Sequence, residues 1–184
     1  MENWALEPEV LKGYAKHWKT GQAIPDALVA KIGTSKLYGQ GFATVEYTAA
    51  SYLDMNWHTL TEPKLEDATA FEKASLAKIG LIPEIHSRYR SPYFQHIFGP
   101  GGGYSAGYYS YLWSEVLDSD AFEAFREKGI FDPATATSFR RNVLEKGGTA
   151  EAMSLYKAFR GREPLVEPLL VKRGLAPSPA AKAN

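Results

Sequence analysis

Cysteine is absent from the 184 residues, which rules out disulfides and thiolate metal sites as supports of the fold and leaves the redox compartment open. Excess charge of either sign is absent too, since 21 Lys and Arg balance 21 Asp and Glu. With no net field, neither nucleic acid nor an anionic membrane surface is expected as a partner. No run of about 18 apolar residues is available to cross a bilayer, and Met1-Glu2-Asn3-Trp4 carries neither the basic segment nor the apolar stretch of a signal peptide. A cytoplasmic location is expected, with a periplasmic one left open. Several catalytic signatures are missing as well. There is no H-E-x-x-H, no serine in a nucleophile elbow, and no Lys-Ser or Lys-Thr after the string Gly99-Pro100-Gly101-Gly102-Gly103. A zinc-binding helix, a serine-hydrolase triad and a phosphate-cradling loop are therefore not found. Alternating β-branched runs are lacking, so the expected fold class is all-α, with several helices.

What is present suits one ordinary core, because 45% of the residues are hydrophobic and the length suffices for one compact unit. Val10, Leu11, Tyr14 and Trp18 recur at helical spacing in a first amphipathic helix, and Pro25-Asp26 opens a second with Leu28, Val29 and Ile32. Residues 42–60, with Phe42, Val45, Ala49, Tyr52, Leu53 and Trp57, show an apolar pattern on two sides and predict a buried central helix. Another helix is expected from Leu65 to Gly80, with Phe71, Leu76 and Ile79 inward and Glu66, Asp67, Glu72 and Lys73 on a solvated face. Pro83, Pro92 and Pro100 interrupt the region 81–103, which reads as irregular. Beyond it, Gly129, Gly147, Gly161 and Gly174 each follow an amphipathic run, as helix C-caps do. Asp132-Pro133, Thr149 and Pro164 are the expected helix starts between them, the Thr149 helix with an inward stripe of Ala152, Leu155, Tyr156 and Phe159 and the last with Leu165, Leu169 and Leu170 inward. The helical part spans 1–175, and the small, polar stretch 176–184 is expected to be a disordered tail.

Candidate function centres on the stretch from His96 to Glu115. Its glycines permit left-handed and close-approach backbone, and the residues that follow are helix-compatible. On such a helix Tyr104, Tyr108 and Tyr111 fall at i, i+4 and i+7, placing three phenols on one face beside a flexible loop. Phenols can donate to an oxygen that is gaining negative charge. The same stripe also fits an aromatic face buried in a helical core, in a non-catalytic interaction module. Arg88-Tyr89-Arg90 suits a carboxylate ligand, or ties loop carbonyls together. His58, with Asp54 and Glu62 four residues to either side, is read as a structural histidine in preference to a metal ligand.

Taken together, Glu2-Asn3-Trp4, Leu53-Asp54-Met55-Asn56-Trp57-His58, Tyr93-Phe94-Gln95-His96 and the run Gly102-Gly103-Tyr104-Ser105-Ala106-Gly107-Tyr108-Tyr109-Ser110-Tyr111-Leu112-Trp113-Ser114-Glu115 resemble the thimet-oligopeptidase family of zinc metallopeptidases, and within it the bacterial peptidyl-dipeptidase and oligopeptidase A branch. The likeness continues through Phe159-Arg160-Gly161-Arg162 and Pro164 to Gly174-Leu175. It implies the C-terminal part of a helical catalytic lobe, whose zinc is held by residues ahead of Glu2 in the full-length enzyme, so that this chain binds no metal itself. It further implies that Tyr104, Tyr108 and Tyr111 act on the scissile carbonyl, and that His96, Gly102 and Gly103 contact substrate as the loop closes. Arg88 or Arg90 would hold a terminal carboxylate. The implied partners are short peptides and the upstream part of the same enzyme, and the isolated chain is expected to be inactive. Apolar surface left uncovered by the missing part would also allow a dimer.

Overall fold

The computed structural model describes residues 2–62 and 67–177. Among them, ten α-helices follow in order: α1 (Glu2–Ala5), α2 (Pro8–Tyr14), α3 (Asp26–Ser35), α4 (Gln40–His58), α5 (Ala68–Lys78), α6 (Gln95–Phe98), α7 (Ser110–Lys128), α8 (Pro133–Phe139), α9 (Ala152–Arg160) and α10 (Glu167–Lys172). A π-helical turn, Arg140–Leu144, continues α8. No strand occurs among the described residues beyond a lone antiparallel bridge between Lys16 and Ala23, so the protein is all-α. None of the described helices is long and apolar enough to cross a membrane. Residues 178–184 of the expected tail, and Leu65 and Glu66 of the expected fourth helix, lie outside the described residues.

Where length and composition suggest one core, the contacts gather into two compact units. One runs up to Tyr38 and resumes at Val116, and the other is Gly39–Glu115. In the second unit α4 is the expected long helix, but it is buried on one side only, since Phe42, Val45 and Tyr52 of the two-sided pattern are exposed. Gly39, with φ of 69°, turns the chain into it. Its Ala50 and Leu53 pack with Phe94, Ile97 and Tyr108, and Trp57, Phe71, Leu76 and Tyr89 close around this group. Burying a leucine such as Leu53 contributes about 2 kcal/mol. The Trp57 indole lies 3.8 Å from the Phe71 ring and donates to Ser91 Oγ at 2.9 Å. Helix α5 starts where Asp67 accepts the Thr69 and Ala70 amides at 2.8 and 2.9 Å, a side-chain cap for two otherwise orphaned donors. Glu72 departs from the expected solvated face. It is buried because its carboxylate accepts Arg90 Nε and the Ser91 amide, both at 2.7 Å. Ile79, expected inward, is exposed.

The other unit is built on aromatic packing. Trp4 meets Phe122 and Phe125 edge-on at 4.6 and 4.7 Å, and Phe139 bridges Phe125 to Phe159 at 5.9 and 5.1 Å. Asp120 lies fully buried at its centre, accepting from Arg162 at 2.6 and 2.9 Å and from the Tyr156 hydroxyl. Burial alone would push this carboxyl up, but the Arg162 and Tyr156 hydrogen bonds and the Arg160 charge outweigh it and hold it below its usual range. Three local expectations are corrected here. The first helix stops at Tyr14, so Trp18 is exposed outside it. Glu151, not Thr149, caps α9 by accepting the Met153 and Ser154 amides at 2.9 and 2.6 Å, while the Thr149 hydroxyl closes the preceding turn on the Lys146 carbonyl at 2.8 Å. The last helix opens at Glu167 with Pro168 in its first turn, leaving Pro164 outside and Leu165 exposed, with only Leu169 fully buried.

Candidate functional site

The site is assembled within the unit Gly39–Glu115, between α6 and α7. The expected tyrosine helix is corrected at its start, because α7 begins at Ser110 and residues 104–109 form a series of tight turns. Gly103 has φ of 48° and Ala106 φ of 54°, and left-handed residues cannot continue a right-handed helix. At Gly103 the backbone also comes so close to the α6 region that an added Cβ would stand 2.5 Å from the His96 carbonyl oxygen. That same oxygen accepts the Tyr104 amide at 2.7 Å, and the Ser105 hydroxyl donates to the Ile97 carbonyl at 2.8 Å. Gly102, with φ of 85°, has open space around it and is exposed. The glycine loop is therefore pinned at its C-terminal end, not free along its length.

Although they do not share a helix, the phenols still meet. Tyr104 and Tyr111 lie 5.8 Å apart by ring centroid and Tyr108 and Tyr111 5.3 Å apart. Tyr104 and Tyr111 are 51% and 41% exposed, whereas Tyr108 is 2% exposed, so the expected row of three surface phenols is a surface pair over a buried third. Tyr47, from α4, stacks on Tyr108 at 5.3 Å and meets Tyr111 edge-on at 6.2 Å. Burial raises the pKa of Tyr47 well above the ordinary phenol range, reinforced by the Tyr108 hydroxyl beside it. Burial raises Tyr108 as well, opposed by the Tyr47 hydrogen bond. Tyr111 is raised by partial desolvation and then by the neighbouring Tyr104 hydroxyl. Phenols shifted this way keep their protons at neutral pH and stay hydrogen-bond donors.

His96 is half-buried, with its ring 6.3 Å from Tyr104, 5.7 Å from Tyr108 and 4.7 Å from Tyr89. The Arg88 guanidinium lies over the Tyr47 and Tyr89 rings at 5.8 and 5.9 Å, a cation–π arrangement that keeps its charge beside the phenols. Arg90 is not part of this group, because its Nε is held 2.7 Å from the buried Glu72 carboxylate. The structure thus brings together Arg88, His96, Tyr104, Tyr108 and Tyr111, with Gly102 and Gly103 in the adjoining loop, and separates Arg90 from them.

Two residues beneath the site escaped the sequence reading as site residues. Asp54, on α4, is 0% exposed, and its carboxylate accepts the Ala106 amide at 2.9 Å and the Tyr108 amide at 2.8 Å. His58 Nδ1 sits 2.7 Å from the same carboxylate and 2.9 Å from the Asp54 carbonyl. Both partners are acceptors, so Nδ1 carries the proton. The available signal was a carboxylate set between the apolar residues Leu53 and Met55 in the C-terminal part of α4. Zinc, which the resemblance implies for the whole enzyme, has no donor set here. Among the described residues no three His, Cys, Asp or Glu come together as ligands, and the His58 nitrogen nearest Asp54 is used as a donor.

Fold and site define a helical protein that sets two exposed phenols, Tyr104 on a glycine-broken turn and Tyr111 in the first turn of α7, beside a buried carboxylate. Residues 1–175 match the family described as Peptidase family M3, and the chain belongs to that family. It is 40% identical to the dipeptidyl carboxypeptidase of Escherichia coli (strain K12) over 176 residues, which cover 95% of this chain and 26% of the relative. Oligopeptidase A of the same organism is 39% identical over 176 residues, again 95% of this chain and 26% of the relative. Saccharolysin of Saccharomyces cerevisiae (strain ATCC 204508 / S288c) is 29% identical over 178 residues, 95% of this chain and 24% of the relative. The chain therefore spans about a quarter of the length of these relatives.

Proposed function

We propose that this chain is the C-terminal part of the catalytic lobe of a zinc-dependent oligopeptidase or peptidyl-dipeptidase that hydrolyses short peptides. Tyr104 and Tyr111 donate hydrogen bonds to the oxyanion that forms when a peptide carbonyl is attacked. The observation that carries this reading is the Tyr104–Tyr111 pair itself, exposed, with rings 5.8 Å apart, one on a pinned turn and the other in the first turn of α7. Donors fixed before the reaction begins need no reorganisation as charge develops, and removing one lowers kcat by about 10²-fold. Tyr108 supports the pair from below, with its ring against Tyr111. His96 lines the site beside Tyr104, Gly102 lets the loop approach a peptide backbone that a side chain would obstruct, and Gly103 lets the loop seat against the His96 carbonyl beside that contact. Arg88 is the better candidate for a terminal carboxylate, since its Glu46 partner stands 4.0 Å away whereas Arg90 is held 2.7 Å from Glu72.

The metal and the nucleophile belong to sequence that precedes this segment in the full enzyme, so the isolated chain is inactive. Exposed Trp18, Tyr38 and Phe131 in one unit and Phe42, Tyr52 and Ile82 in the other are apolar surface that the upstream part, or a second copy, would cover. The full enzyme works in the cytoplasm or periplasm. The test is a chimera in which this chain replaces the matching segment of the Escherichia coli dipeptidyl carboxypeptidase, assayed on a quenched-fluorescent peptide. Tyr104→Phe and Tyr111→Phe should each lower kcat by about 10²-fold with little change in KM. If the double variant turns over at the parental rate, the donor role is wrong. Peptide hydrolysis by the purified 184-residue chain alone would refute its dependence on an upstream part.

A further inference from the structure

Carboxylates are rarely buried without strong compensation, because removing the charge from water is costly. Asp54 is fully buried, and each of its oxygens is engaged. Oδ1 accepts the Ala106 amide and the His58 Nδ1 proton, and Oδ2 accepts the Tyr108 amide. Hydrogen bonds to an ionised acceptor are about twice as strong as neutral ones. The two amides belong to the residues either side of Gly107, in the turn that precedes α7, and the first of them, Ala106, is the one non-glycine residue with positive φ among the described residues. A residue in that conformation persists where its surroundings over-determine it. Here the surroundings are a carboxylate projecting from the C-terminal third of a 19-residue helix, beside the buried Leu53.

Both ends of the turn are tied, since Tyr104 is held by the His96 carbonyl and Gly107 returns to the Tyr104 carbonyl at 2.7 Å. With its amide fixed, the Tyr108 ring is directed among Tyr47, Phe94 and Tyr111, which gives Tyr111 its platform. We propose that Asp54, aided by His58, is a positioning residue that latches the 106–108 turn and so sets the Tyr104–Tyr111 phenol pair at the surface. The role in hydrolysis rests on the donor reading above, whereas the latch itself does not. The carboxylate form matters, because an amide at position 54 offers one acceptor oxygen and turns its NH2 toward the second backbone donor.

The experiment is amide hydrogen exchange on the isotopically labelled chain together with ¹³Cζ titration of the tyrosines, comparing the parent with Asp54→Asn. In the parent, the Ala106 and Tyr108 amides should exchange at least about 100-fold more slowly than unstructured amides. In the variant one or both should speed up about tenfold or more while the first two turns of α4 keep their rates, and the Tyr111 titration should move down toward an ordinary phenol as the pair opens. A residue that only filled the core would loosen α4 as a whole and leave no local signature. Parental rates at both amides in the variant, or loosening spread evenly through α4, would overturn the latch. If Asp54→Asn does not fold, the parent decides, and near-unstructured exchange at both amides overturns the proposal. Neither readout involves a peptide, so failure of the donor reading would leave both results unchanged.

Discussion

Replacing Gly103 by alanine isolates the close approach that shapes the site. The new methyl would stand 2.5 Å from the His96 carbonyl oxygen, well inside the roughly 3.3 Å at which carbon meets a carbonyl oxygen comfortably. The backbone must move away, and the first bond lost is that from the Tyr104 amide to this oxygen, worth about 1 kcal/mol net. At φ 48° and ψ −126° residue 103 occupies a region that only glycine populates comfortably, which adds about 1–3 kcal/mol for any residue with a Cβ, giving about 2–4 kcal/mol in all. Gly102→Ala is the control for positive φ without the contact. Residue 102 also has positive φ, but its Cβ would meet nothing nearer than Ser105 Oγ at 4.0 Å, so the cost stays at about 1–2 kcal/mol. In urea, with a slope of about 2 kcal/mol/M, Gly103→Ala should lower the midpoint by about 1 M or more and Gly102→Ala by clearly less. Equal midpoints for the two variants would refute the argument that contact with the α6 region, and not φ alone, demands glycine at 103.

Ala106→Gly should act in the opposite direction on stability, since glycine relieves about 1–2 kcal/mol of left-handed strain against about 0.5–1 kcal/mol of added chain entropy. A neutral or slightly raised thermal midpoint is expected, and a fall of several degrees would contradict the strain assignment. Asp120→Asn should destabilise by about 3 kcal/mol, because it strips the buried charge partner from Arg162 and leaves Arg160 with Glu127 alone. It should also flatten the acid limb of the stability curve. The folded carboxyl is held below its unfolded value, so its contribution is present above the ordinary aspartate range and is lost as pH falls through the depressed value. Circular dichroism between neutral pH and pH ~2 measures both, and an unchanged acid limb in the variant would remove Asp120 as the source. In the chimera, Arg88→Ala should raise KM for peptides with a free C-terminus and leave C-terminally amidated peptides unaffected, while Arg90→Ala should not discriminate between them.

The class and most of the elements were legible because their causes are local. Two-sided apolar spacing marks α4, Asp132 and Pro133 mark the start of α8, and Gly161, with φ of 77°, ends α9 as a left-handed cap. Errors arose where a distant polar partner outcompeted local pattern. Glu72 looks like a solvated charge until Arg90 and Ser91 are brought to it across 18 and 19 residues, and Arg90 is thereby withdrawn from the site it seemed suited to.

The start of α7 is the clearest instance. Nothing within residues 104–109 forbids a helix, and in a helix the Tyr108 amide would bond to the Tyr104 carbonyl four residues back. That carbonyl is taken by Gly107 and the Tyr108 amide by Asp54, 54 residues away in sequence. A single buried carboxylate can thus replace helical bonds with two charge-assisted ones and shift the helix start to Ser110. The consequence for function is geometric. A continuous helix would stack three phenols on one face with similar exposure, whereas the latched turn buries Tyr108 and leaves Tyr104 and Tyr111 as an exposed pair. Periodicity alone groups the three tyrosines but assigns them equal exposure, and the clue that separates them is Asp54, a carboxylate among the buried residues of the C-terminal part of α4.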